Sequence, residues 1–166
     1  MKTELCSNCG EMARVISKDY SFDEMGVPVE LKDIDVIECP HCGNTDPIIP
    51  NMDGLMHVVA VAALCKPCKL SGEEVRYLRK YVNKSAHEFS RFLHVDHTHL
   101  SKIENGRVEI GPRLDKLVRL MVMNMDQRLA DSIKELMELM PNIEDVCSES
   151  QGGIQINPAS LTYQYA

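Results

Sequence analysis

The sequence predicts an α+β chain: a small N-terminal zinc-bound β-hairpin domain, then an all-α helix-turn-helix domain with a long C-terminal helix. Three observations carry that expectation. Two similar turns, Cys6-Ser-Asn-Cys9-Gly10 and Cys39-Pro-His-Cys42-Gly43, stand 29 residues apart. Residues 85–107 read as two short helices joined by a tight corner. Apolar residues then recur at spacings of three and four from Val118 to Met140, the period of one helix face.

The cysteine turns come first. Four thiolates on two short turns can enclose one zinc ion tetrahedrally, and a full set of four leaves no open position for water, so the expected role is structural. A glycine after the second cysteine of each pair lets the backbone fold tightly toward the sulfurs. The metal ligands are therefore Cys6, Cys9, Cys39 and Cys42. Between them, 14–20 and 27–38 read as two strands around the turn residues Asp23-Glu24-Met25-Gly26. His41, inside the second turn, reads as a solvated loop residue.

Residues 1–50 form the expected zinc-binding domain, and 51–69 a linker holding an apolar run from Leu55 to Leu64. The linker ends on Cys65-Lys-Pro-Cys68, which has three readings: a plain linker pair, a second metal site completed by His57 or Cys147, or a redox pair. Seven cysteines without a signal-peptide pattern point to a cytoplasmic chain whose cysteines serve metal rather than disulfides. No run of 18 apolar residues is present.

Residues 70–122 form the expected DNA-binding domain. Ser71-Gly-Glu-Glu74 opens one helix, with Val75, Leu78 and Val82 on its apolar side. Ser85 caps the next, whose Ala86, Phe89 and Leu93 face inward. His94-Val95-Asp96 turns the corner, and Asp96 caps a helix in which Leu100 and Ile103 face inward. That leaves His97, Thr98, His99, Ser101 and Lys102 outward, the layout that lays a second helix in the major groove. Asn105-Gly106 ends it. The DNA-binding candidates are Ser85, His97, Thr98, His99, Ser101, Lys102, Asn105 and Arg107. A further helix starts near Pro112, an allowed first-turn proline.

Charge is divided along the chain. Residues 1–68 carry five Lys and Arg against eleven Asp and Glu; 69–121 carry eleven against seven; 122–166 carry two against seven. The only basic island is therefore the helix-turn-helix, and a local patch is what attracts phosphates. Four of the six histidines also lie there. Because histidine charges near neutral pH, affinity for DNA is expected to rise as pH falls. No nucleophile–base pair, phosphate loop or open zinc site emerges, so an enzyme is not expected.

The long helix over 123–141 has the spacing of a helix packed on a partner helix, in a homodimer or in the chain's own core. The tail over 142–166 turns polar, carries no charge from Ser150 onward, and is expected either to be disordered or to add a strand to a neighbour.

With both modules read, the chain resembles the MqsA-like antitoxins and related regulators, which join a YgiT-type four-cysteine zinc finger to a Cro/repressor-like (XRE) helix-turn-helix. The matching pieces are the two cysteine turns, Leu70-Ser-Gly-Glu-Glu-Val-Arg-Tyr-Leu-Arg79 and Leu100-Ser-Lys-Ile-Glu-Asn-Gly106, within residues 1–120. The resemblance implies a structural zinc, operator binding as a homodimer, autoregulation of a toxin–antitoxin operon, and a toxin ribonuclease held by the N-terminal module. One position departs: Ala86 stands where the family commonly has a DNA-contacting glutamine. Direct readout would then fall on His97, Thr98 and His99, while Lys102, Arg107 and the backbone at Asn105 would meet phosphates.

Overall fold

The computed structural model describes residues 2–23, 25–144 and 153–165. Its strands are β1 (Thr3–Leu5), β2 (Met12–Phe22), β3 (Val29–Glu38), β4 (Thr45–Pro47), β5 (Ile154–Asn157) and β6 (Thr162–Tyr165). Its helices are α1 (Met52–Cys65), α2 (Gly72–Tyr81), α3 (Ala86–Phe92), α4 (His97–Glu104), α5 (Pro112–Met125) and α6 (Ile133–Leu139). The fold is α+β.

β2 and β3 form the expected long hairpin, joined by Gly26 at φ 77°. Inward residues on β3 are Val29 and Leu31, then Ile34 and Val36. The alternation slips by one residue between Leu31 and Ile34. A bulge absorbs the slip: Asp33 takes φ 51° and its N–H donates to Asp19, which also pairs with Lys32 at 2.9 Å. The hairpin therefore keeps its hydrophobic set on one face despite the extra residue.

Three expectations need correcting. Residues 51–69 are not a linker. α1 runs through the middle of the core, with Leu55, Val58, Val59, Ala60, Ala62, Ala63 and Leu64 all buried. A helix apolar on every side is a buried helix, and Asn51 caps it by accepting from the Gly54 N–H.

Of the two readings of the tail, the residues described follow the added strand rather than disorder, and the strand joins the chain's own sheet. β5 pairs in parallel with β3, placing Ile154 beside Val29 and Ile156 beside Leu31, and β6 closes a hairpin on β5. The sheet order is β1-β2-β3-β5-β6, with β4 pairing the far end of β3. The Tyr165 hydroxyl donates to the Ala62 carbonyl at 2.8 Å, fastening the last strand to α1. Residues 145–152 lie outside the described residues.

The long C-terminal helix is broken. α5 stops at Met125, a 3-10 segment follows over Gln127–Ser132, and α6 resumes at Ile133. Asp126 is extended at φ −125° and ψ 110°, and its carboxylate is held by Arg128 and by the Tyr81 hydroxyl. Val118, Val122, Leu129 and Leu136 are wholly buried in the chain's own core. The apolar spacing thus serves that core, the second of the two readings. Among the described residues no helix is long and apolar enough to cross a membrane.

Candidate metal centre and candidate nucleic-acid interface

The two cysteine turns are built alike. In the first, the Gly10 N–H donates to the Cys6 carbonyl and the Cys6 N–H to the Glu11 carbonyl; in the second, Gly43 donates to Cys39 and Cys39 to Asn44, all at 2.9–3.0 Å. Gly10 and Gly43 sit at φ 75° and 73°, a backbone that a side chain would strain. Two of these turns at one end of the sheet bring the four Sγ atoms within 4.8 Å of one another. Cys6 and Cys42 approach to 3.6 Å, Cys9 and Cys39 to 3.5 Å. Four sulfurs at about 2.3 Å from one tetrahedral ion would stand about 3.8 Å apart, so the cluster fits a metal ion.

The sulfurs do not share one environment. The Asn44 backbone N–H and then the Asn8 side chain stabilise the Cys42 thiolate and bring its pKa down to about 6. At Cys9 the Glu11 backbone N–H acts the same way, but desolvation and the three neighbouring sulfurs outweigh it and push the thiol up to about 12.

Polar residues that the motif reading passed over connect the two turns. Ser7 donates to Asp46 on β4, and the Asn44 side chain donates to the same carboxylate oxygen at 2.8 Å. The available signal was their place inside and just after the cysteine turns. Cys6, Cys39 and Ala13 form a small buried cluster of their own, apart from the main core. Hairpin geometry explains this: the cysteines sit at the opposite end of β2 and β3 from the Gly26 turn, roughly 30 Å along the strands.

Cys65 and Cys68 do not join the cluster; among the described residues the four-cysteine group is the only metal-capable one. Cys68 is disulfide-bonded, which corrects the expectation that the cysteines serve metal alone. Of the other ligands considered for that pair, His57 has its Nδ1 3.0 Å from the Tyr81 hydroxyl, and Cys147 lies outside the described residues.

The second candidate site is the α3–α4 corner. Ser85 and Glu88 form a reciprocal capping box on α3. His94 turns the chain at φ 52°, where a residue with a side chain is uncommon. Asp96 caps α4: the Thr98 N–H, then the Thr98 side chain and the His99 N–H, hold its carboxyl below the ordinary range. Phe89, Leu93, Leu100 and Ile103 are buried, so the opposite face of α4 is turned out.

On that face His97, Thr98, His99, Lys102 and Arg107 are exposed, Ser101 is half-buried, and the His87 and His97 rings lie 6.1 Å apart. Two candidates have internal duties. Ser85 Oγ is engaged with Glu88. Asn105 donates to the Ser101 carbonyl at 2.7 Å and accepts from Arg76 at 2.6 Å, so its side chain closes the end of α4.

The corner is held from behind. Arg79 makes a two-pronged ion pair with Glu104, at 2.7 and 2.8 Å, and Arg76 donates to the Glu104 carbonyl. α2 itself approaches so closely that a Cβ on Gly72 would lie 2.1 Å from the Ile103 carbonyl oxygen. Comparison with protein-family models, curated proteins and solved structures finds no match, so the resemblance to MqsA-like regulators rests on the motifs alone.

Proposed function

We propose that this chain is a sequence-specific DNA-binding transcriptional regulator whose four-cysteine centre holds a structural zinc ion. The observation that carries the reading is the outer face of α4. His97, Thr98, His99 and Lys102 project from a helix of eight residues that is capped at its start and clamped at its end by Arg76 and Arg79. Rigid presentation of a few polar side chains from a helix is what base-edge readout needs. The net positive charge confined to residues 69–121 supplies the phosphate attraction.

Selection of bound fragments from random duplex DNA by the purified chain tests this. The expected result is an enriched motif whose affinity falls steeply with salt, and whose base preference changes in Thr98→Ala or His99→Ala. Two half-sites one helical turn apart would support a homodimer. Failure to enrich any motif at low salt sinks the proposal.

A second role, as an antitoxin that grips a basic ribonuclease through the cysteine-bearing end, has specific support. Residues 1–68 carry an acidic excess as a whole, with Glu4 and Glu11 beside Leu5 and Met12, an exposed apolar pair that faces across β1 and β2. An exposed apolar pair with an acidic surround suits a basic protein partner. Co-purification with the product of a neighbouring gene would separate this role from DNA binding alone.

A further inference from the structure

The two cysteine turns are not tied together by sulfur alone. Ser7 lies between the ligands of the first turn, and its hydroxyl donates to an oxygen of Asp46. The same oxygen accepts from the side chain of Asn44 at 2.8 Å, and the Asn44 side chain lies 3.4 Å from Ser7 Oγ. Asn44 belongs to the second turn: its carbonyl accepts from the Cys39 N–H, and its own N–H stabilises the Cys42 thiolate. Asp46 therefore receives one donor from each turn. It is well placed to hold them, because β4 is zipped to β3 with Asp46 opposite Ile37. Its carboxylate is half-buried, whereas Ser7, Cys9 and Cys42 are exposed. The brace thus stands between the sheet and the exposed turn tips.

We propose that Asp46 is the positioning residue of the four-cysteine centre, clamping the Ser7 turn to the Asn44 turn and thereby setting how tightly the four thiolates hold a metal ion. This rests on the reading of the cluster as a metal site. Groups that orient metal ligands without touching the ion commonly change affinity by about 10–100-fold when removed. Asp46 contributes no ligand here. It holds two turns at the separation that four sulfurs around one ion require.

The test uses the full chain, loaded with cobalt(II) as a coloured stand-in for zinc. Thiolate-to-cobalt absorption in the wild-type chain, weakened and shifted in Cys9→Ser, establishes the site; absence of that absorption in the wild type would fail the metal reading itself. Competition against a coloured chelator then gives relative affinity. Asp46→Ala and Ser7→Ala are each expected to weaken cobalt and zinc about 10–100-fold, with the four-sulfur absorption bands unmoved. Asp46→Asn, which keeps an acceptor oxygen, is expected to recover most of the loss. In the Ser7→Ala/Asp46→Ala double variant the losses should not add, since both remove one brace. Wild-type cobalt binding with Asp46→Ala and Ser7→Ala within twofold of it overturns the proposal, as do losses that simply add. Should Asp46→Ala fail to fold, Ser7→Ala decides alone, because Ser7 is exposed and outside the sheet.

Discussion

Asp115 and Arg119, one turn apart on α5, form an ion pair 3.0 Å long that is closed to solvent and holds three segments together. Arg119 also donates to the carbonyls of Leu64, Lys66 and Cys68, at 2.6–2.8 Å, and Asp115 accepts from the Leu70 N–H at 2.7 Å. The pair therefore satisfies the end of α1 and the chain that leads into α2. Removing one partner leaves the other charged and buried. Arg119→Ala is expected to lower unfolding free energy by about 3–5 kcal/mol in urea titration. Asp115→Leu/Arg119→Met should recover part of that loss. A single-variant cost under about 1 kcal/mol would remove the pair from its place as the joint between α1, α2 and α5.

Gly72 marks where α2 meets α4. A methyl group there would collide with the Ile103 backbone, which cannot yield as a flexible side-chain tip would. Gly72→Ala is therefore expected to destabilise the chain, although alanine is the better helix former. The shift should appear in the amide resonances of 100–107. A stabilised variant would show that the approach of α2 to α4 is looser than this.

The broken helix has its own pH signature. Burial alone would raise the Asp126 carboxyl, but Arg128 and the Tyr81 hydroxyl outweigh it and hold it at about 2. A carboxyl lowered by folding stabilises the fold above its ordinary range and loses that contribution as pH falls toward its folded value. The urea midpoint of the wild type should thus exceed that of Asp126→Asn at pH 6, and the gap should close between about pH 4 and pH 2. A gap independent of pH would mean that the Asp126 charge does not hold the break.

Chelation separates the two ends of the hairpin. Residues 6–10 and 39–44 bury no more apolar surface than the small cluster around Cys6, Ala13 and Cys39, so they should lose amide-exchange protection when metal is removed. Residues 29–36 on β3 pack on the main core through Val29, Leu31, Ile34 and Val36 and should keep theirs. Full protection of 6–10 after chelation would count against a structural metal. In the metal-free chain Cys42, exposed and with a pKa near 6, should be alkylated before Cys9 at pH 7.

What the sequence made legible was what is encoded locally. The four-cysteine cluster follows from two five-residue turns, and α2, α3 and α4 from serine and aspartate caps followed by apolar residues at helical spacing. α1 carries no such contrast: from Leu55 to Leu64 only His57 is polar, so periodicity cannot separate a buried helix from a connecting strand. The break at Asp126 is hidden because Val122, Leu129 and Leu136 stay inward on both sides of it. The brace at Asp46 depends on β4, whose three residues carry no strand pattern of their own. β5 and β6 were the least legible, four residues each, because the strand that β5 pairs with, β3, lies far off in sequence.

That pairing places a time order on the fold. Val29 leaves the ribosome before its parallel neighbour Ile154, which follows 125 residues later. Until then the β3 edge that will receive β5 has open backbone donors and acceptors, a template for any passing strand. Pairings so distant in sequence close slowly because the intervening loop must be gathered first. The helices can assemble from local contacts while the sheet waits, so a newly made chain is open to mispairing at the β3 edge until the β5–β6 hairpin arrives.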